Sequence, residues 1–510
     1  MKIFSNNEIK QIEQFTIEQE GISSTELIER AAEGIASEVF ERWRPDVRLL
    51  VFAGWGNNGA DALEAARLLA DKGFSPEVYL FNIGGNRLTH ECAIMRERLL
   101  KSGGDISFLE ITGKERFEWP EPDASDLIID GIFGSGLDRP LPISLQMLVH
   151  NINDSGATVV SIDIPTGLFG EWNDGTPRTN MVHASLTLAI GFPHLAFFIA
   201  DNAEVVGRWK VIDIGLNKQA IKNAPLNYFL VNENDTLRFL APRNEFASKV
   251  DFGHALIAAG SYGMVGASVL AAKGCLRAGA GKVTVHGPGC AFQTLQSTVV
   301  SAMFDADHGK QHITDIPTDQ CYTAIAVGPG LGKHEETVTA LEKFLKTMEA
   351  QSRPVIIDAD ALNIIADNKT ILGYLPLLSV LTPHPGEFDR IFGEQPSHEA
   401  RLQKAIEAAH YHQVIIVLKG RYTAIVRPDG KVFFNASGTP AMATGGSGDV
   451  LTGVIAGFMA SGLKPEIASF VGAFVHGVAG ELACEDNSDI GTTAEDIADN
   501  IGRAINRIAR

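Results

Sequence analysis

Cysteine is scarce in this chain and never grouped. Cys92, Cys275, Cys290, Cys321 and Cys484 are scattered, odd in number and nowhere spaced C-x-x-C. Reduced thiols in a cytosolic compartment fit this best, and their bland reading is small core residues. Positive charge is also short: 43 Lys and Arg stand against 62 Asp and Glu, a formal net charge of −19. Such a surface repels phosphate backbones, so nucleic acid is not the expected partner. A small phosphorylated ligand stays open, because local amides and bound cations offset a global charge. No apolar run approaches the length of a membrane span, and the opening MKIFSNNEIKQIEQ lacks the apolar core of a secretory signal. The expectation is a cytoplasmic protein with no membrane partner.

What is present is globular. The 510 residues are 45% hydrophobic and 21% charged, enough for two or three domains, and the 51 glycines fall largely in clusters between apolar runs. Ile9, Ile12 and Phe15 space one opening helix; Leu27, Ile28, Ala31, Ala32, Ile35 and Val39 space a second. Apolar runs follow at 47–54, 77–85, 126–136 and 157–167, alternating with helical stretches. They are apolar on both faces and several end in glycine turns, the pattern of parallel strands covered by helices with ligands at one edge. The rhythm breaks across 207–245, which places a boundary near 217–228 and domains at 1–216 and 228–510. The second half repeats the architecture in runs at 254–261, 281–289, 323–332, 353–363, 379–387, 413–420 and 423–430. The fold class is α/β in two domains.

The sharpest local signal is ATGGSGDVLTGVIAGFMASG at 443–462. Gly445, Gly446 and Gly448 let backbone amides turn inward, and the spacing of Val450, Leu451, Val454, Ile455 and Phe458 starts a helix at once. A glycine turn feeding a helix start makes an anion site from free amides and the positive dipole end. Asp449, in the first turn, is either an ordinary N-cap or a base beside a moving phosphoryl group. The segment lacks G-x-x-x-x-G-K-[ST], so it is not a P-loop.

GGSGDVLTG resembles the anion-hole and base motif of the ribokinase-like superfamily. Together with DADALN at 358–363, LTPHPGEF at 381–388 and VLKGRYT at 417–423, it resembles the NAD(P)H-hydrate dehydratases across most of 245–510. The resemblance implies a ribokinase-like second domain whose substrate is NADH or NADPH with water added across a ring double bond. It implies phosphorylation of the new hydroxyl, with ADP as donor and Mg²⁺ present, followed by loss of phosphate. By motif, Asp449 is then the base. Gly448 and the stretch Lys419, Gly420, Arg421, Tyr422 and Thr423 hold the nucleotide, and Ala255, Gly330 and His384 hold the hydrated cofactor. The bland alternatives are a loop histidine for His384, a solvated strand end for Lys419 and a core residue for Ala255.

In the first half, VFAGWGNNGADALEAARLLA at 51–70 is a strand, a turn and a helix. Asp130 with GIFGSGLDRP at 131–140, and SIDIPTG at 161–167, supply two more turns after apolar strands, so three turns converge on one sheet edge. These motifs resemble the NAD(P)H-hydrate epimerases over roughly 1–216, which implies a Rossmann-like parallel sheet with helices on both faces. By that resemblance Asn57, Asn58, Gly59, Ala60 and Asp61, with Gly134, Ser135, Gly136, Leu137, Asp138, Arg139 and Pro140, hold the substrate. Asp163 meets its reacting end as acid/base, and Asn58, Asp130 and Thr166 bind potassium. Ala60 and Ala62 replace glycines usual in that family; a methyl at 60 is harmless only at negative φ. The resemblance further implies a homo-oligomer, a tetramer in the fullest reading. Two other functions fit parts of the pattern: a ribokinase-type vitamin-precursor kinase with an accessory nucleotide-binding domain, and an N-terminal half that senses a nucleotide without chemistry.

Overall fold

The computed structural model describes residues 1–83, 87–113, 117–240 and 242–509. The chain divides into two compact units, Lys2–Leu226 and Asn227–Arg510. The first runs past residue 216 because Ala220, Ile221, Ala224 and Leu226 pack on its core.

Two helices open it, α1 (Asn6–Glu20) and α2 (Ser24–Arg42). Ser5 and Ser23 cap them, each in a reciprocal pair with the glutamate three residues on, Glu8 or Glu26. Those bonds satisfy amides that a helix start leaves open. The buried stripe of α1 is Ile9, Ile12 and Thr16, whereas Phe15, expected there, is 38% exposed. Thr16 can enter the core because its hydroxyl donates to Ile12 O at 2.7 Å.

The sheet of this unit holds, among the described residues, seven strands: β1 (Leu49–Ala53), β2 (Pro76–Phe81), β3 (Ser107–Ile111), β4 (Leu127–Gly131), β5 (Thr158–Ile162), β6 (Leu186–Ile190) and β7 (Arg208–Ile212). Their order is β3-β2-β1-β4-β5-β6-β7, every pair parallel. Leu49 and Val51 enter one apolar cluster while Leu50 and Phe52 enter another, so β1 is covered on both faces. Helix α3 (Asn57–Asp71) follows β1. The edge strands β3 and β7 alternate exposed with partly buried residues, which is why SFLEI carries no continuous apolar run and RWKVI falls inside the supposed break in pattern. Of the run at 77–85, Gly84 and Gly85 lie outside the described residues.

The second unit carries, among the described residues from Tyr228 onward, ten strands: β8 (Tyr228–Val231), β9 (His254–Ala258), β10 (Lys282–Gly287), β11 (Met303–Ala306), β12 (Ala324–Val327), β13 (Ile356–Ile357), β14 (Val380–Leu381), β15 (Ile415–Leu418), β16 (Ala424–Val426) and β17 (Val432–Asn435). They lie in the order β8-β17-β16-β15-β14-β13-β12-β9-β10-β11. β16 runs antiparallel to both β15 and β17; the other pairs are parallel.

Helices α4 (Val265–Arg277) and α5 (Ser447–Ala460) cross at close quarters: a Cβ on Gly453 would stand 2.0 Å from Ala271 O, so only glycine fits. Helix α6 (Pro465–Gly491) corrects the expectation about apolar length, being long and apolar enough by composition to cross a membrane. Glycines, Ser469 and His476 interrupt its apolar run without lowering the mean hydropathy enough. In the structure 83% of its most apolar window is buried, with Phe470, Val471, Phe474 and Val475 in the core of the unit.

Candidate active sites

Adjacent parallel strands β12, β13, β14 and β15 release their carboxyl ends along one edge. There lie Gly330, Asp358, His384 and Lys419. Asp358 is 1% exposed; its carboxylate accepts from Lys419 Nζ at 3.1 Å and from Thr452 Oγ1 of α5 at 2.7 Å. Lys419 also lies 3.9 Å from Glu387. Burial would lower the lysine pKa, but Asp358, Glu387 and Asp449 raise it above its ordinary value. A Cβ built on Gly448 would meet that ammonium at 3.2 Å, so the charge rests against the first turn of α5. Lys419 is therefore no solvated strand end.

The N-cap of α5 is Gly446, at φ +92° with no side-chain cap bond. Asp449 is three residues further on, so the capping explanation fails for it. First-turn amides have no partner inside a helix; here Ser447 N donates to Thr444 O at 3.4 Å, which leaves those of Gly448 and Asp449 open, with no side-chain cap. They face the same region as Lys419. Burial above all, then the charges of Asp358, Asp360 and Glu387, push Asp449 up to about 7 against the opposing pull of Lys419. A carboxylate with that pKa, beside free amides and an ammonium, is equipped to take a proton near neutral pH.

His384 caps the helix Pro385–Phe392: its Nδ1 accepts from Gly386 N at 3.1 Å and Glu387 N at 3.3 Å, while Glu387 Oε2 accepts from His384 N at 2.9 Å. With Nδ1 an acceptor, the neutral ring carries its proton on Nε2, on a side chain that is 50% exposed. Gly330 is a buried turn residue at φ +58°, its carbonyl accepting from Ser261 Oγ at 2.9 Å. Residues 419–423 form the hairpin loop between β15 and β16. Thr423 Oγ1 donates to Gly420 O at 3.1 Å across it, and Arg421 lies over the Tyr422 ring at 4.9 Å while donating to Gly438 O at 3.3 Å. Ala255 is the second residue of β9, towards the end of that strand opposite this edge, and its side chain is wholly buried in the core.

Asp358 and Glu387 stood in quoted motifs without a role. His476 was missed altogether, being one polar residue in an apolar helix. It is wholly buried, burial lowers its pKa to about 4, and its Nε2 has no protein partner.

In the first unit the strand order reverses between β1 and β4, and the three expected turns meet there, after β1, β4 and β5. Asp130 is completely buried and fully bonded: it accepts from Ser161 Oγ at 2.8 Å, Thr166 N at 2.9 Å, Thr166 Oγ1 at 2.6 Å and Ile132 N at 3.3 Å. Burial outweighs those bonds and raises its pKa. Asn58 has both side-chain amide atoms buried without a partner. A Cβ on Gly134 would stand 2.8 Å from Asp163 Oδ2 and 2.9 Å from Asn58 Oδ1, so the glycine lets these oxygens come together. Amide, carboxylate and hydroxyl oxygens from Asn58, Asp130 and Thr166 are a donor set suited to a hard cation.

Asp163 itself sits at φ +65°, a left-handed conformation that costs a non-glycine residue roughly 1 kcal/mol. Its Oδ2 accepts from Ser135 N at 2.8 Å and its Oδ1 meets His194 Nε2 at 3.0 Å. Burial would raise its pKa, yet the charge and hydrogen bond of His194 and the Ser135 bonds lower it. Asp61 goes the other way, pushed well up by burial and by Asp163 and Glu13. Glu13 of α1 is raised to about 7 by burial and Asp163, with Lys10 opposing. Two carboxyl groups with opposed shifts in one site suit acid and base roles. Gly136, Asp138, Arg139 and Pro140 are exposed and Leu137 is half-buried, forming the outer loop. Neither His194 nor Glu13 was singled out from sequence, because each comes from an element remote from the three turns.

Ala60 lies inside α3 and is not among the residues at positive φ, so its methyl is tolerated. Gly59 is different: a Cβ there would stand 1.8 Å from Gly54 O. Gly59→Ala is expected to destabilise the first unit by about 2 kcal/mol or more, read as a lowered thermal midpoint; an unchanged midpoint would contradict the close approach.

The whole chain has relatives. A bifunctional NAD(P)H-hydrate repair enzyme of Thermofilum pendens is 32% identical over 521 aligned positions, covering 99% of this chain and 96% of that one. One of Moorella thermoacetica is likewise 32% identical, covering 98% and 96%. The chain belongs to the bifunctional NAD(P)H-hydrate repair enzymes. In this repair enzyme a family model described as NAD(P)H-hydrate dehydratase matches 255–503, and one described as YjeF-related protein N-terminus matches 24–196. A solved ADP/ATP-dependent NAD(P)H-hydrate dehydratase of Bacillus subtilis, co-crystallised with ATP and Mg²⁺, is 31% identical; it covers 56% of this chain and all of its own, with a TM-score of 0.48.

Proposed function

We propose that residues 228–510 dehydrate the S epimer of hydrated NADH and NADPH at the expense of ADP, giving AMP and phosphate, and that residues 1–216 interconvert the R and S epimers that feed this step. The observation that carries the reading is the meeting of Asp449, Lys419 and the open amides of α5 at one point of the sheet edge. Asp449 takes the proton of the ring hydroxyl as its oxygen attacks the terminal phosphorus of ADP. The amides and Lys419 receive the negative charge of the phosphoryl group in transit. AMP departs, the carbon–oxygen bond then breaks with phosphate as leaving group, and loss of a proton from the neighbouring carbon restores the ring double bond.

His384 Nε2 and the turn at Gly330 hold the hydrated cofactor; the loop 419–423 and Gly448 hold the nucleotide. Mg²⁺ would enter with the nucleotide and supply charge neutralisation at its phosphates. In the first unit Asn57–Asp61 and Gly134–Pro140 hold the substrate and Asp163 is the acid/base. Asn58, Asp130 and Thr166 would hold potassium, which supplies fixed positive charge beside the substrate; the unpartnered Asn58 amide oxygen supports this. The protein works in the cytoplasm as a homo-oligomer, a tetramer in this reading, which light scattering checks.

The test uses the full chain with mixed epimers of hydrated NADH and ADP, ATP or no nucleotide. Full recovery of NADH absorbance with ADP, from both epimers, is expected. Accumulation of a phosphorylated dinucleotide instead would make the second unit a kinase. Recovery of one epimer only, at the spontaneous interconversion rate, would leave the first unit a binding domain.

A further inference from the structure

His194 holds the first unit's acid/base from behind. It lies after β6, in the segment GFPHLAFF, with its ring 1% exposed and set edge-on against Phe197, the ring centroids 5.4 Å apart. Its Nε2 is 3.0 Å from Asp163 Oδ1, whereas the other carboxylate oxygen takes Ser135 N at 2.8 Å and faces Asn58 across Gly134. The two oxygens of Asp163 therefore have separate partners. One is tethered to a buried imidazole and the other is turned toward the converging turns. Asp163 needs such a tether because its backbone is in the left-handed region, which a side chain tolerates only when the surroundings fix it.

We infer that His194 is a positioning residue for epimer interconversion, orienting Asp163 through the Nε2–Oδ1 contact so that Oδ2 faces the substrate. This rests on the epimerase reading of the first unit. The ionisable groups around the pair are Asp61 of α3 and Glu13 of α1, the latter beside Lys10.

The experiment follows epimer interconversion in the full chain without nucleotide, so that dehydration is silent. His194→Ala is expected to lower kcat by about 10–100-fold with little change in KM. His194→Gln, which restores an N–H donor of similar reach, should recover much of kcat; it also serves if the alanine variant fails to fold. A His194→Ala enzyme with wild-type kcat, or a folded His194→Gln enzyme that recovers none of it, overturns the inference while leaving the epimerase reading intact. A wild-type chain that does not accelerate interconversion overturns both.

Discussion

Replacing Asp449 by Asn lowers ADP-dependent recovery of NADH by roughly 10²–10⁴-fold, the usual contribution of a general base. Asn keeps the shape but cannot take the hydroxyl proton, so the loss falls on kcat more than on KM. The pH profile carries the same signature. Asp449 in the free enzyme is pushed up to about 7, so the base is protonated and idle below that pH, and kcat/KM should climb with pH through about 7 before levelling. A profile flat from pH 5 to 8, or a variant with wild-type turnover, removes Asp449 from the chemistry. Stability provides an independent reading. The folded-state pKa lies above the ordinary 3.8, so between about pH 4 and 7 the folded chain binds more protons than the unfolded one, and stability falls as pH rises through that window. Asp449→Asn abolishes the term, and at pH 8 the variant should be more stable than the wild type by roughly 2–4 kcal/mol. A faster-failing enzyme with a firmer fold is the trade-off expected where a buried charge serves function.

Lys419→Met is the second large effect, and here stability and activity fall together. The substitution leaves Asp358, 1% exposed, with Thr452 Oγ1 as its remaining side-chain donor. Removing one partner of a buried pair costs roughly 3–5 kcal/mol, because the survivor stays buried and charged. Lys419 keeps 22% of its side chain exposed, so the low end, about 3 kcal/mol, is expected. The thermal midpoint of the second unit falls accordingly, and nucleotide-dependent turnover falls with the lost positive charge beside α5. Neutralising the survivor in Lys419→Met/Asp358→Asn should return much of the stability and none of the activity. If the double variant is no more stable than the single one, the Lys419–Asp358 contact is not what the single variant breaks.

The legible part of the sequence was whatever repeats locally. Core strands such as Leu49–Ala53 and Ile415–Leu418 are apolar on both faces and announce themselves as runs. Edge strands do not: Ser107–Ile111 and Arg208–Ile212 have one face less covered, so their composition looks like loop. Helix α6 escaped a count of consecutive apolar residues because Ser469, His476 and several glycines break its run, while its average hydropathy stays high. The same limit governs the sites. Asp449, Gly448 and the turns holding Asn58, Asp130 and Thr166 lie in compact motifs in which neighbours in sequence are neighbours in space.

The sequence by itself determined the two α/β halves, the glycine-fed helix start with its carboxylate, and the three turns that share a sheet edge, because hydrophobic period and turn chemistry act over a few residues. Only the tertiary structure decided that Gly446, not Asp449, caps α5, that Ala255 is core, and that Lys419 is bound to Asp358 across 61 positions of chain. It alone brought His194 to Asp163, and Glu13 within reach of the charges of Asp163 and Asp61. A pKa or an ion pair is set by distance and burial, and parallel strands bring together in space residues that the chain keeps far apart.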